Sequence, residues 1–147
     1  MSNSPTAIDI NHWLDRLHDS GYRITAPRRA IVEVVAHSQR ALNPAQIFDL
    51  ARVRHPAIGL VTVYRTLERL TELHLIDRVH LPQGCDAYLP TPFGHQHLLI
   101  CEHCGTIEYF SGDNLTDLTR RVEADSGYKI TAHWLQFFGR CPNCQAA

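Results

Sequence analysis

Four of the five cysteines in this 147-residue chain form two Cys-x-x-Cys pairs, Cys101–Cys104 and Cys141–Cys144. This spacing turns two thiolates toward one point, and two such pairs that meet offer the tetrahedral ligand set of a structural zinc ion. The alternatives are two disulfides or a redox-active pair on a strand-to-helix turn. No signal peptide precedes the first residues, which predicts a reducing cytosol where stable disulfides are rare. We therefore expect one structural zinc ion per chain.

A second set of potential metal ligands precedes the first cysteine pair. His95 and His97 have a His-x-His spacing, which on a strand directs both imidazoles to one face. Cys85 is left over once the four-sulfur site is filled, and Asp77 lies eight positions before it. Thiolate is a soft ligand, so this combination favours zinc over iron(II) or manganese(II). We predict a regulatory zinc site at Asp77, Cys85, His95 and His97, with His133 as a candidate ligand of an additional site.

That assignment has a plain alternative for each residue type. Cys85 could be a small buried side chain, and the histidines could be ordinary surface residues.

The first 80 residues contain four segments with apolar residues at helical spacing. Thr25 caps the second segment, and Asn43 with Gln46 three residues later forms a capping box for the third. Two short β-type segments follow at about 76–81 and 86–89, joined by a Pro-Gln-Gly turn. Helices followed by a hairpin predict a winged helix.

The rest of the chain mixes strands with a helix around the cysteine pairs. The pattern predicts strands at about 97–100, 106–110 and 129–138 and a helix at about 114–125. Proline and glycine near residues 90–94 interrupt the pattern, as a linker does. The fold class is therefore α+β. We expect a winged-helix unit at 1–82, a hinge at 83–93 and a small α/β unit at 94–147.

The fourth predicted helix carries polar side chains suited to reading DNA. Thr62, Tyr64 and Arg65 lie near its N-terminus, where a recognition helix contacts base edges. Arg23 and Arg28 could bind phosphate and set the register. A plain amphipathic helix is the alternative. Residues 1–80 hold ten arginines against eight acidic residues, an excess that permits nucleic-acid binding without requiring it.

Taken together, these motifs resemble the ferric uptake regulator (Fur) family of repressors. The resemblance is carried by Gly21–Arg28, Thr62–Leu67, His95–His97, Cys101–Gly105 and Phe138–Cys144. It implies an N-terminal winged-helix DNA-binding domain and a C-terminal α/β dimerisation domain with a four-cysteine zinc site. It also implies a homodimer that binds an inverted-repeat operator in double-stranded DNA when loaded with metal, with Tyr64 and Arg65 contacting DNA.

Within the family, the ligands of iron-type sensors are largely missing from this chain. Five residues stand where that subgroup has histidine or acidic ligands: Leu42, Leu89, Gln96, Leu98 and Tyr109. The chain is more similar to the zinc uptake regulators, which have an Asp or His at the position of Asp77. The resemblance also implies a further site in some members, with histidines at the positions of His95, His97 and His133. Its acid would have to come from Asp113 or Asp117, because Thr116 stands near the matching position.

These observations predict a cytoplasmic, zinc-sensing repressor of metal-uptake genes, with an iron(II)- or manganese(II)-responsive regulator as the alternative. No apolar run is long enough to span a bilayer, so we expect no membrane partner. We also expect no small organic substrate and no catalysis, because the common zinc-hydrolase and serine-nucleophile motifs are absent from the sequence. A zinc-stabilised module that senses nothing is a further alternative.

Overall fold

The structure is a computed structural model that describes residues 7–92 and 95–146. Its N-terminal part is helical, as predicted. Thr25 accepts a hydrogen bond from the backbone of Arg28, and Asn43 and Gln46 form the predicted capping box. The four helices are α1 (Ile10–Asp19), α2 (Ala26–His37), α3 (Pro44–Arg52) and α4 (Leu60–Glu72).

These helices pack around one apolar core. Each contributes side chains that are fully buried, among them Leu17, Ile31, Ile47, Leu67 and Leu70. Burying residues of this size stabilises each by about 1.5–3 kcal/mol relative to an exposed position. The core includes Val63 of α4 but leaves Tyr64 and Arg65 exposed, so these two side chains, which are predicted to read DNA, are not needed for packing.

A two-stranded antiparallel hairpin follows the helices. It consists of β1 (Ile76–His80) and β2 (Asp86–Pro90), in register from Ile76 opposite Pro90 to His80 opposite Asp86. The range 83–93 that we assigned to a hinge therefore contains a complete strand, because β2 pairs along its whole length with β1. The last residue of that range, Phe93, lies outside the described residues.

The C-terminal part is built on a three-stranded sheet with the order β4-β3-β5. Strand β3 pairs with β4 in antiparallel fashion and with β5 in parallel fashion. The elements are β3 (His97–Cys101), β4 (Ile107–Phe110), α5 (Thr116–Ser126), β5 (Gln136–Gly139) and the short α6 (Pro142–Gln145).

The predicted strand at 129–138 is wrong over most of its length. Pairing runs only from Leu98 opposite Gln136 to Cys101 opposite Gly139, because β3 begins at His97 and offers no partner to earlier residues. The short helix α6 was not predicted. It places the second cysteine pair at the end of β5.

The C-terminal part has almost no core of its own. Within the described ranges, no side chain after Cys101 is buried, and α5 contributes none. The second apolar cluster instead combines the hairpin, through Val79 and Leu89, with β3, through Leu98 and Ile100. No helix among the described residues is long and apolar enough to cross a membrane.

Candidate metal centres

The two cysteine pairs meet at one end of the three-stranded sheet. Cys101 ends β3 and Cys104 lies in the turn that follows, while Cys141 caps α6 and Cys144 lies within it. Parallel pairing of Cys101 with Gly139 brings the two turns together. All four Sγ atoms lie within 4.8 Å of one another, and those of Cys104 and Cys141 are 3.7 Å apart. This arrangement fits a closed tetrahedral zinc site.

The surroundings of these thiols lower the pKa of two of them and raise the pKa of a third. Burial alone would raise the pKa of Cys101, but backbone N–H donors from Cys104, Cys141 and His103 outweigh it and lower the pKa to about 6. The pKa of Cys104 is also lowered, chiefly by its contact with Thr106. The contact with Cys141 and burial raise the pKa of Cys144 to about 12. Zinc binding must therefore displace protons at neutral pH.

Zinc affinity at the four-cysteine site is accordingly expected to fall as the pH falls. Each displaced proton contributes about tenfold per pH unit, and protonated Cys144 guarantees at least one at neutral pH. Competition with a chromophoric chelator between about pH 8 and about pH 6 measures this slope. An affinity that does not change with pH would rule out thiolate ligation at this site.

A second group of potential ligands forms beside the start of β3. His95, His97 and His133 converge on one carboxylate, that of Asp113. The Nε2 atoms of His95 and His133 each lie 2.9 Å from Asp113 Oδ2, and His97 Nε2 also contacts this oxygen. The four candidate ligand atoms lie within 4.8 Å of one another.

The electrostatics of this group favour an anionic Asp113. Hydrogen bonds from His133 and His95 hold the pKa of the Asp113 carboxyl well below its usual range, and His97 adds to this effect. The His97 side chain is 2% exposed, whereas His95 is open to solvent. Three imidazole nitrogens and one carboxylate oxygen form a set that zinc, iron(II) and manganese(II) all accept. These residues therefore fit a divalent metal ion.

The structure does not assemble the ligand combination predicted from the sequence. His95 and His97 do come together, but with Asp113 and His133 rather than with Asp77 and Cys85. The Asp77 carboxylate accepts a hydrogen bond of 3.1 Å from the Thr91 hydroxyl. Cys85 is exposed at the start of β2. In the described part of the chain, neither joins a group of potential metal ligands.

Chain topology explains why Asp113 and His133 join this group. Asp113 follows β4 and His133 precedes β5, the two strands that flank β3 on either side. Both side chains therefore arrive at the end of β3 where His97 begins the strand. The sequence indicated His133 and offered Asp113 as one of two acids, but only the strand order decides between them.

The residues predicted to contact DNA occupy different environments. Tyr64 and Arg65 are exposed on α4, Thr62 is partly buried, and Arg23 is exposed just before α2. Arg28 is already engaged, because its guanidinium lies 4.2 Å from the centroid of the Tyr22 ring and donates to the Arg23 carbonyl. Arg28 thus supports the loop before α2 in addition to any contact with phosphate.

Comparisons with known proteins agree with this architecture. The profile of the ferric uptake regulator family matches residues 19–138. The chain is 36% identical over 139 residues to the ferric uptake regulation protein of Bacillus subtilis, a match that covers 92% of this chain and 93% of that protein. The Vibrio cholerae ferric uptake regulator has a TM-score of 0.68 and 27% identity, covering 90% of this chain and 100% of that one. The Helicobacter pylori regulator reaches a TM-score of 0.75 at 23% identity, with 97% of each chain covered.

The family predicted from the motifs and the α+β fold class are both confirmed by these matches. The chain belongs to the ferric uptake regulator family, whose members are metal-responsive transcription regulators and not enzymes.

Proposed function

We propose that this chain is a metal-dependent transcriptional repressor that binds an inverted-repeat operator as a homodimer and controls metal-uptake genes. The observation that carries the proposal is the group formed by His95, His97, Asp113 and His133, which is separate from the four-cysteine site. A closed sulfur site is suited to permanent structural zinc, whereas a partly exposed nitrogen and oxygen site can exchange its ion with solvent. One site for stability and one for sensing are what such a regulator requires.

Zinc is the ion that we expect at the second site. Three imidazoles and one carboxylate supply the four ligands of tetrahedral zinc, with no further donor needed. Cys85 plays no part in this assignment, because it lies outside the group.

Iron(II) or manganese(II) is the second candidate. Iron(II) is favoured by the relative from Bacillus subtilis, which is named as a ferric uptake regulation protein. Operator binding by the protein already loaded with one zinc ion, titrated separately with zinc, iron(II) and manganese(II), distinguishes the candidates. We expect occupation of the second site by zinc to tighten operator binding and occupation by iron(II) or manganese(II) not to, and the reverse would assign the site to one of the latter.

The position of the second site supports a sensing role. His95 and His97 follow the connection from the hairpin, whereas Asp113 and His133 belong to the loops around α5. A bound ion would hold these segments together through its bonds to the four ligands. It can shift the protein toward the arrangement of winged helices that binds DNA only as far as it binds more tightly to that arrangement than to the alternative one.

The homodimer is supported by apolar residues that the chain leaves uncovered. Within the described ranges, α5 has no buried residue, and large apolar side chains are exposed on α5, β5 and the segment between them. An unpartnered apolar surface of this kind marks an interaction site. The exposed residues are Leu118, Val122, Tyr128, Trp134, Phe137 and Phe138.

Replacing Leu118 with glutamate is expected to weaken the dimer, because it places a charge on the apolar face of α5. Leu50 on α3 is the matched control, since the two leucines are 51% and 49% exposed. Sedimentation velocity should show Leu118→Glu shifted toward monomer and Leu50→Glu unchanged. Equal behaviour of the two variants would place the dimer interface elsewhere.

Arg65 is expected to carry a large part of the sequence-specific DNA affinity. Selection from random duplexes with the metal-loaded protein should enrich an inverted repeat. On that duplex, Arg65→Ala should cost about 1–3 kcal/mol, as loss of a bidentate contact to guanine does. Lys129→Ala is the control, because Lys129 is 89% exposed and lies outside the winged helix. No enriched sequence, or equal losses for both variants, would refute the reading role.

Metal ions and double-stranded DNA, rather than small organic molecules, are the ligands in this proposal. We place this activity in the cytoplasm, where the operator DNA would be located.

A further inference from the structure

The loop between α2 and α3 contacts both sheets of the molecule. On one edge, Leu42 exchanges two backbone hydrogen bonds with Tyr88 of β2, at 3.0 and 2.8 Å. On its other edge, Ala41 donates to the carbonyl of Gly105 at 2.9 Å, directly after the first cysteine pair.

A second bond extends this outer edge. The Ile107 amide at the start of β4 donates to the Gln39 carbonyl at 3.0 Å, and Arg40 forms a β-bridge with Thr106. Residues 39–42 therefore lie between the hairpin and the three-stranded sheet and form isolated β-bridges to Tyr88 on one side and Thr106 on the other. Backbone hydrogen bonds run from one sheet through this segment to the other.

Glycine is required where this segment meets the cysteine turn. Gly105 has a φ of +75°, and a Cβ atom there would lie 3.2 Å from the Ala41 carbonyl oxygen. A side chain at this position would strain the backbone and push the loop away from the turn.

Side chains reinforce the same contact. Tyr109 of β4 donates a hydrogen bond of 3.0 Å to the Pro90 carbonyl of β2. Burial and the nearby Asp77 raise the pKa of Tyr109 to about 12, so the hydroxyl keeps its proton and remains a donor. In the hairpin turn, Gln83 donates to the Glu102 carbonyl between the two zinc-site cysteines. The shared apolar cluster described above lies beneath these bonds.

We infer that residues 39–42 and 105–107 form a latch that docks the winged helix on the turn of the four-cysteine site. The zinc ion assigned to that site holds the turn in shape, and the turn then fixes the position of α4 relative to the C-terminal sheet. The four-cysteine site thus sets the orientation of the reading helix in addition to stabilising its own part of the chain. This inference depends on zinc at the four cysteines and not on which metal the second site senses.

Amide hydrogen exchange in the full-length, zinc-loaded protein tests the latch without DNA. The reporters are the amides of Ala41 and Ile107, which bond across it. Gly105→Ala should accelerate their exchange by about tenfold or more, while amides in the helical core, such as Ile31 and Leu67, remain protected. The control is Gly127→Ala, because Gly127 has a matching φ of +74° but no atom within 4 Å of its added Cβ. That variant should leave both reporters unchanged.

Two further measurements separate release of the latch from damage to the cysteine turn. Tyr109→Phe removes the bond to Pro90 away from the cysteines and should accelerate the reporters while one zinc per chain is retained. Tyr128→Phe is the control, because Tyr128 is 76% exposed, and it should leave the exchange of both reporters unchanged. Chelation of the structural zinc should release the reporters and spare the core amides. Unchanged exchange of Ala41 and Ile107 in Tyr109→Phe, or after zinc removal, would overturn the latch.

Discussion

Replacing Cys144 with serine is expected to cost the chain its structural zinc and the order of its C-terminal part. The free energy of a structural zinc site is on the order of 10 kcal/mol, most of which is folding free energy where little core exists. Here α6 has four residues, and none of the described side chains after Cys101 is buried. Zinc bound at the four cysteines would therefore be the main stabilising element of this part of a single chain.

Metal analysis and thermal unfolding measure this effect. We expect Cys144→Ser to hold less than one zinc per chain, to lose its dimer and to lose the unfolding transition of the C-terminal part. The helical core at α1–α4 should survive, because it is built from its own buried residues. Cys85→Ser is the matched control, since Cys85 is exposed and outside the cluster. Full zinc content and an unchanged transition in Cys144→Ser would contradict the structural role of the site.

Replacing His97 with alanine is expected to abolish metal binding at the second site and leave the first intact. His97 is the buried member of the group, so its imidazole is held in place before any ion arrives. Residues that only orient metal ligands change affinity by about 10–100-fold when mutated, and loss of a ligand should cost at least as much. The variant should bind one metal ion per chain where the parent binds two.

His80 supplies the control for this experiment. It also lies beside a carboxylate, with Nδ1 3.0 Å from Asp86 Oδ1, but it is exposed on the hairpin and belongs to no group of ligands found in the described ranges. Calorimetric titration of zinc into the one-zinc form should show the second binding event in His80→Ala and not in His97→Ala. Asp113→Asn should weaken the same event. Retention of two ions by His97→Ala would show that the second ion does not bind at this site.

Local signals in the sequence predict most of the helical part and the sulfur site. The caps at Thr25 and Asn43 and the two Cys-x-x-Cys turns each depend on residues a few positions apart. The cap hydrogen bonds, and the approach of the two thiols within each pair, form within one turn of the chain. The meeting of the two pairs also needs the pairing of β3 with β5.

The second site depends on long-range topology, which is why its ligands were only partly predicted. Asp77 and Cys85 are closer in sequence to the histidines than His133 is. Yet Asp77 is on β1, where Thr91 engages it, and Cys85 is at the far end of the hairpin. The parallel pairing of β5 with β3 brings His133 in, and no local motif encodes that pairing. The same pairing is four residues long, which explains why the predicted strand at 129–138 is absent over residues 129–135.

The response of DNA affinity to the second metal ion is the decisive measurement of the sensing role. Fluorescence anisotropy on the selected duplex would start from protein that carries zinc only at its four cysteines. We predict that one further zinc ion per chain tightens binding by about 5–150-fold, the usual range for coupled sites, and that His97→Ala shows no such change. An affinity that stays constant in the parent protein, or rises equally in His97→Ala, would contradict the assignment of His95, His97, Asp113 and His133 as the sensing centre.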